Sequence, residues 1–427
     1  MVFNPVYVLI LFYTIAVDYI AGLKIEKNHN NLRVKKYWLW ASLVANIGAL
    51  AFFKYADFIL ESLNGIFYLT HTEHSFSLLN ILLPIGLSFH TFQAISYTVE
   101  VYRGKQQAER NLIDYSLYVM FFPQLVAGPI ERPQRLLHQF KEKHVFKYEN
   151  FSIGAKWILW GLFKKIVVAD NLAIIVDAVY ASPQQYNGLA LICATILFAF
   201  QIYGDFSGYS DIAKGTAKIL GFDLMINFNL PYFSKNVSEF WRKWHISLST
   251  WFKDYVYIPL GGNQTKGFKN TLLTFALSGL WHGANITFLI WGLLNGLMVY
   301  ADKYIFKRTY NFHSWLKIGL TFIGIDFCWI VFRASNIGDA WYIITHLFAD
   351  WSVNSILAIG VDRHIWAIAI SMLMFMIGVE WMSRHKSLIE TWHNSKRIYK
   401  VMFLNLLLLF MLFFGVFEHR TFIYFQF

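Results

Sequence analysis

The chain has 427 residues, of which 56% are hydrophobic, 19% aromatic and only 15% charged, against about 25% charged in soluble domains. This excludes a soluble globular domain and predicts an all-α polytopic membrane protein. The net charge of +11 does not point to nucleic acid, because the Lys and Arg lie in short clusters between apolar spans, where they set topology and meet anionic lipid of the bilayer.

No polar linker divides the apolar blocks, so a single membrane domain over 1–427 is expected. Cys193 and Cys328 lie inside apolar segments and read as small packing residues, not as a disulfide or a metal set. Residues 4–23 lack a cleavage site and are taken as a retained span, followed by a second near 37–60. Lys24, Lys27, Arg33, Lys35 and Lys36 hold the linker between them on the cytoplasmic side. Residues 62–77 carry no Lys or Arg and suit the outer face; His71 and His74 there are too few for a metal site, and none is expected.

A third span is expected near 79–101, loosened at its start by Pro84 and Gly86 and carrying His90 and Glu100. Residues 112–130 have basic clusters on both sides and are interrupted by Pro123, Gly128 and Pro129. They read as a re-entrant or interfacial element, or else as a kinked full span. Residues 152–180 include Lys164, Lys165, Asp170 and Asp177, which must pair or snorkel. Residues 181–187 suit the outside, and a helix from about 188 returns inward. Asp205, Ser207, Tyr209 and Asp211 concentrate polarity at its end, either lining a substrate path or forming a wet helix terminus.

Residues 231–262 are too polar for a span and too aromatic for a soluble loop. With Ser238 as N-cap and Glu239 in the first turn, Phe240, Trp244, Leu248, Trp251 and Tyr255 form one helical stripe. Arg242, Lys243 and Lys253 supply cationic heads, which predicts an amphipathic helix at the cytoplasmic interface, with His245 bordering the stripe. The apolar stretch at 268–302 follows, too long for one crossing and too short for two, with His282 near its middle. Gly279, Gly283, Ala284 and Asn285 cluster where a break is expected. Lys266 and Lys269 before it, and Lys303, Lys307 and Arg308 after it, place both ends in the cytoplasm. Two half-length segments meeting near the midplane satisfy both facts. An ionisable group there is a functional-site candidate, the bland alternative being a kink whose histidine is satisfied by a neighbour. Spans near 314–332, 365–383 and 400–417 complete the domain.

The motifs LPIGLSFHTFQAISY, FFPQLVAGPIERP, WGLFKKIVVADNL, GYSDIAKGTAKILGF, WRKWHISLSTWFKDYVYIPLGGN, SGLWHGANITFLIWG and the terminal FIYFQF together resemble the membrane-bound O-acyltransferase family. They are most similar to its bacterial branch of alginate and peptidoglycan O-acetylation proteins. The D-alanyl transfer branch of teichoic acid synthesis shares the WxxWHxSLSxWFxDY core, but the following IPLGGN favours acetylation. Members of the acetylation branch begin with further apolar sequence, so this chain is expected to start one or two helices late. The resemblance implies a ring of tilted transmembrane helices, with re-entrant and interfacial helices, around a central tunnel; its core would span 79–302 and its catalytic region 231–302. It also implies that His282 is the catalytic histidine and His245 a second functional position.

Acyl transfer from a thioester to a hydroxyl needs a base for the hydroxyl proton and donors for the oxyanion. His282 is the expected base, with His245 orienting the donor or assisting proton transfer; Trp281, Asn285, Trp241 and Trp244 would shape the cavity. Arg242, Lys243 and Lys253 would meet either the donor's phosphates or lipid headgroups. The resemblance implies acetyl-CoA as donor substrate, no resident cofactor or metal, an extracytoplasmic acyltransferase partner and a cell-surface polysaccharide acceptor. It also implies the bacterial inner membrane as the setting. D-alanyl or longer-chain transfer is the runner-up within the enzyme class, and a polytopic transporter of an intact solute the alternative outside it.

Overall fold

The structure, a computed structural model, describes residues 7–71, 75–81, 83, 84, 86–304, 312–349, 351–384, 386–418, 422 and 423. His74, Lys307, Arg308 and most of the terminal FIYFQF therefore lie outside the described residues. Among the described residues all regular structure is helical. Six helices among the described residues are long and apolar enough to cross a bilayer: Tyr7–Lys27, Leu32–Leu69, Gly188–Ile219, Ser314–Arg333, Arg363–Met382 and Arg397–Phe414. The chain is a multi-pass, all-α membrane protein, divided into two compact units.

The first unit comprises Met1–Phe146 and Gly221–Met225. Its longer helices are α1 (Tyr7–Lys27), α2 (Leu32–Leu69), α3 (Leu87–Tyr102) and α4 (Leu112–Met120). Asn31 caps α2, its side-chain oxygen accepting from the Val34 N–H at 3.3 Å. The first three helices meet at the buried Asp18 carboxylate, which accepts from Ser42 Oγ at 2.5 Å, Asn46 Nδ2 at 2.7 Å and Thr98 Oγ1 at 2.6 Å. Such a carboxylate is tolerated in apolar surroundings only when its lone pairs are met. In the 112–130 segment, α4 has nine residues and Phe122–Leu125 adds one turn. At about 1.5 Å per residue neither can cross some 30 Å of hydrocarbon, so the segment is not a kinked full span.

The second unit comprises Lys147–Leu220 and Ile226–Phe427. Helix α5 (Tyr148–Leu162) runs through a π-helical stretch, Phe163–Ala169, into α6 (Asp170–Tyr180). Antiparallel α7 (Gly188–Ile219) packs on α5 through glycines: a Cβ at Gly161 would lie 2.5 Å from the Gly208 carbonyl oxygen, leaving no room for a side chain. The widened π turn frees backbone carbonyls, and that of Ile166 accepts from the Val416 N–H at 2.9 Å. The charges of this region pair. Lys165 reaches Asp170 at 2.8 Å and Asp205 at 2.7 Å, Lys164 bonds Asp211, and Arg333 holds Asp177 at 2.9 Å. Two of the four polar residues at the end of α7 are thus committed to ion pairs.

Beyond them come α8 (Val237–Lys243), α9 (Ile246–Phe252), α10 (Gly267–His282), α11 (Ile286–Tyr304), α12 (Ser314–Arg333), α13 (Arg363–Met382) and α14 (Arg397–Phe414). The continuous amphipathic helix expected from Ser238 is not formed. Asn236 is the N-cap instead, its Oδ1 accepting from the Glu239 N–H at 2.7 Å, and the helix stops at Lys243. Ser238 lies inside the first turn, where its N–H donates to Asp302 Oδ2 at 3.1 Å. Asparagine caps better than a residue two positions on because its short amide reaches the N3 donor, and Glu239 returns a bond from the Lys235 N–H at 2.9 Å.

Candidate active site

His282 is the last residue of α10, and Gly283, Ala284 and Asn285 separate it from α11. The break falls where the glycine cluster places it. Gly283 is extended, at φ −160° and ψ 155°. Asn285 then starts the next helix, its Oδ1 accepting from the Thr287 N–H at 3.0 Å while its Nδ2 donates to the Ser335 carbonyl at 3.1 Å. Its amide is thus used to cap α11 and to tether the tip. The two arms lie antiparallel at backbone contact: a Cβ at Gly279 would sit 2.2 Å from Phe288 O, and one at Gly292 2.3 Å from Phe275 O. With 16 and 19 residues, roughly 24 and 28 Å at 1.5 Å each, both arms exceed half a crossing, because each helix continues into its polar flank.

The imidazole of His282 is 6% exposed. Three rings stand edge-on to it: Trp281 at 4.9 Å, Trp291 at 5.1 Å and Phe332 at 5.5 Å between centroids. Near-perpendicular packing on several sides restricts ring rotation and keeps bulk water from the nitrogens.

His245 occupies the turn between α8 and α9 with φ +43° and ψ 55°, a left-handed conformation that residues with a Cβ rarely adopt. Asn227 clamps this turn. Its carbonyl accepts from the Ile246 N–H at 2.9 Å, and its Oδ1 accepts from Ser247 N at 3.2 Å and Ser247 Oγ at 2.9 Å. Two residues on, the Asn229 N–H donates to the Lys243 carbonyl at 3.0 Å, so both sides of the turn are fixed. The His245 ring is 1% exposed, edge-on to Phe206 at 4.5 Å and 6.0 Å from Trp281. Burial pushes this imidazole down to about 3, so it is neutral at physiological pH.

Trp281 touches both histidine rings, which brings the two positions selected from sequence to one locus. Trp241 packs on Trp291 at 5.7 Å, and Trp244 on Trp329 at 5.1 Å, so both belong to the aromatic shell behind His282. The basic trio lies apart from it: Arg242 and Lys253 are exposed, and Lys243 bonds Glu239 at 2.7 Å. Partial burial raises the Glu239 carboxyl, but the Lys243 and Lys235 bonds outweigh it and hold the group below the usual carboxylate range. Sequence reasoning missed Asn227, Asn236 and Asp302; the NFNLP run at 227–231 is a turn signal that marks the first.

Residues 107–335, which include both histidines, match the membrane-bound O-acyltransferase family. A probable alginate O-acetylase of Pseudomonas aeruginosa is 40% identical over 358 residues, 82% of this chain and 68% of the relative. The peptidoglycan O-acetyltransferase of Helicobacter pylori is 37% identical over 373 residues, 79% of this chain and 69% of the relative. A teichoic acid D-alanyltransferase of Bacillus subtilis is 28% identical over 265 residues, 58% and 66% of the two chains. The chain spans about two thirds of the length of these relatives.

Proposed function

Because the chain belongs to the membrane-bound O-acyltransferase family, we propose that it is an O-acetyltransferase of the bacterial inner membrane that passes acetyl groups from cytoplasmic acetyl-CoA toward hydroxyls of an extracytoplasmic polysaccharide. Acetyl is preferred to D-alanyl because the O-acetylation relatives are 37–40% identical and the D-alanyl relative 28%. The observation that carries the mechanism is the placement of His282 at the tip of a glycine-packed hairpin, enclosed by Trp281, Trp291 and Phe332.

In this reading His282 takes the proton as the acceptor hydroxyl attacks the thioester carbonyl. The tetrahedral intermediate then expels the CoA thiolate, which recovers a proton. Neutral imidazole is the form able to act as base. His245, across Trp281, positions the donor or supports proton transfer. Arg242 and Lys253 are available to phosphates arriving from the cytoplasm, and a separate extracytoplasmic partner completes delivery to the polymer.

The test is reconstitution of the purified chain with radiolabelled acetyl-CoA, with and without an extracytoplasmic partner and glycan. Wild type is expected to release CoA, and His282→Ala to lose about 10²–10⁴-fold in rate at equal folded yield. Unchanged turnover in His282→Ala removes the base assignment. Failure of wild type with all components supplied, together with movement of an intact solute, returns the protein to the transporter class.

A further inference from the structure

The second unit carries a half-open cavity of about 260 Å³ that the acyl-transfer reading does not use. It lies between α7, the 3₁₀ turn Pro231–Phe233, α12 and α13, with Tyr203, Tyr232, Trp315, Gly319, Phe322 and Glu380 in its wall. It is separate from the histidines. A layer of buried rings intervenes, from Tyr203 to Trp244 at 6.1 Å, Trp244 to Trp329 at 5.1 Å, Trp329 to Trp291 at 5.8 Å and Trp291 to His282 at 5.1 Å.

Its wall is apolar apart from one feature, the buried Glu380 carboxylate, which accepts from Tyr203 Oη at 2.8 Å. Besides that bond it is acted on by the Lys164 ammonium, whose own ion pair is with Asp211. Glu380 sits two residues before the end of α13, while Trp315 lies in the first turn of α12. The two helix ends are adjacent, since Trp315 packs on Trp381 at 4.8 Å and Phe233 on Trp381 at 5.2 Å. Arg384, an exposed residue, covers the same indole at 4.1 Å and donates from Nη1 to the Trp381 carbonyl at 3.0 Å. Trp315 and Trp381 at these helix ends, with Arg384 and Lys386 following α13, fit a membrane–water boundary, which the positive-inside rule assigns to the cytoplasmic side.

The volume lies below the roughly 300–1,000 Å³ of sites for compact small molecules, and a half-open apolar cleft of this size takes part of one hydrocarbon chain that continues into the bilayer. A carboxylate at its edge repels anionic headgroups and matches a primary ammonium, and a guanidinium one turn beyond matches a phosphate. We propose that the cavity holds one acyl chain of a phosphatidylethanolamine from the cytoplasmic leaflet, with its ammonium at Glu380 and its phosphate at Arg384.

Gly319 provides a plug, because a Cβ there meets nothing within 4 Å. Native mass spectrometry of the full chain in detergent, titrated with phosphatidylethanolamine and phosphatidylglycerol of identical chains, is the measurement. Wild type is expected to retain one phosphatidylethanolamine at least tenfold better than phosphatidylglycerol. Gly319→Leu should lose that lipid while keeping its melting temperature and its CoA release, and Glu380→Gln should hold both lipids alike. Equal binding of the two lipids by wild type, or a lipid retained in Gly319→Leu, overturns the proposal. So does displacement of the lipid by acetyl-CoA, which would give the cavity to the acyl donor.

Discussion

At His245 an imidazole is placed in left-handed backbone and then buried, two costs that a structural residue would avoid. The backbone conformation costs roughly 1–2 kcal/mol for a residue with a Cβ, and the clamp from Asn227 opposes it. Strain held this way is found where a side chain must point in one direction. Burial also links the residue to pH. The folded protein resists protonating His245 until about 3, whereas the unfolded chain takes the proton near 6.5. The unfolded state therefore binds more protons between these values. Stability from the neutral ring is full above the ordinary histidine range and is lost as pH falls below it, by about 2 kcal/mol at pH 5. Thermal melts of wild type and His245→Asn at pH 7.5 and 5 check this, asparagine being tolerant of left-handed backbone and unable to titrate. The variant should show the flatter profile, and parallel losses would mean that another group carries the acid sensitivity.

Among the elements, the hairpin of α10 and α11 depends on an absence of side chains. Membrane helices gain little from burying apolar surface against one another, so close backbone approach supplies the attraction, and glycine alone permits it. Gly279 and Gly292 face the opposite arm at distances no Cβ can occupy. Gly279→Leu is expected to separate the arms, cost several kcal/mol and abolish transfer, whereas Gly319→Leu, in open space on α12, should melt like wild type. Differential scanning fluorimetry of the two variants side by side separates a hairpin effect from a general penalty for leucine in a span. Equal melting temperatures would show that the arms accommodate the side chain.

For the whole molecule, the basic clusters predict which loops face which side. Single cysteines at Gln264 and Gln185, in a background with Cys193 and Cys328 replaced, should react with an impermeant maleimide from opposite faces. Gln264→Cys is expected to label only in inverted vesicles and Gln185→Cys only in intact spheroplasts; labelling of both from one side would refute the topology. The spans at both ends of the chain, the pairing of Lys164 and Lys165, and the break after His282 were all legible in sequence. Each follows from a local rule: an apolar run of bilayer length, the cost of an unpaired charge in hydrocarbon, or glycines beside an asparagine. The aromatic stripe at 240–255 misled, because its spacing fits one helix while contacts from Asn227, distant along the chain, bend it at His245. Composition and the long spans at both ends were thus determined by sequence, since membrane insertion depends on local hydropathy, whereas the span expected at 79–101 is only the 16-residue helix Leu87–Tyr102, its start cut back to the turn at Pro84 and Gly86. Which rings enclose His282, how Trp281 joins it to His245, and where Glu380 meets a cavity were decided by tertiary structure alone, because those contacts join residues far apart in the chain that no local periodicity relates.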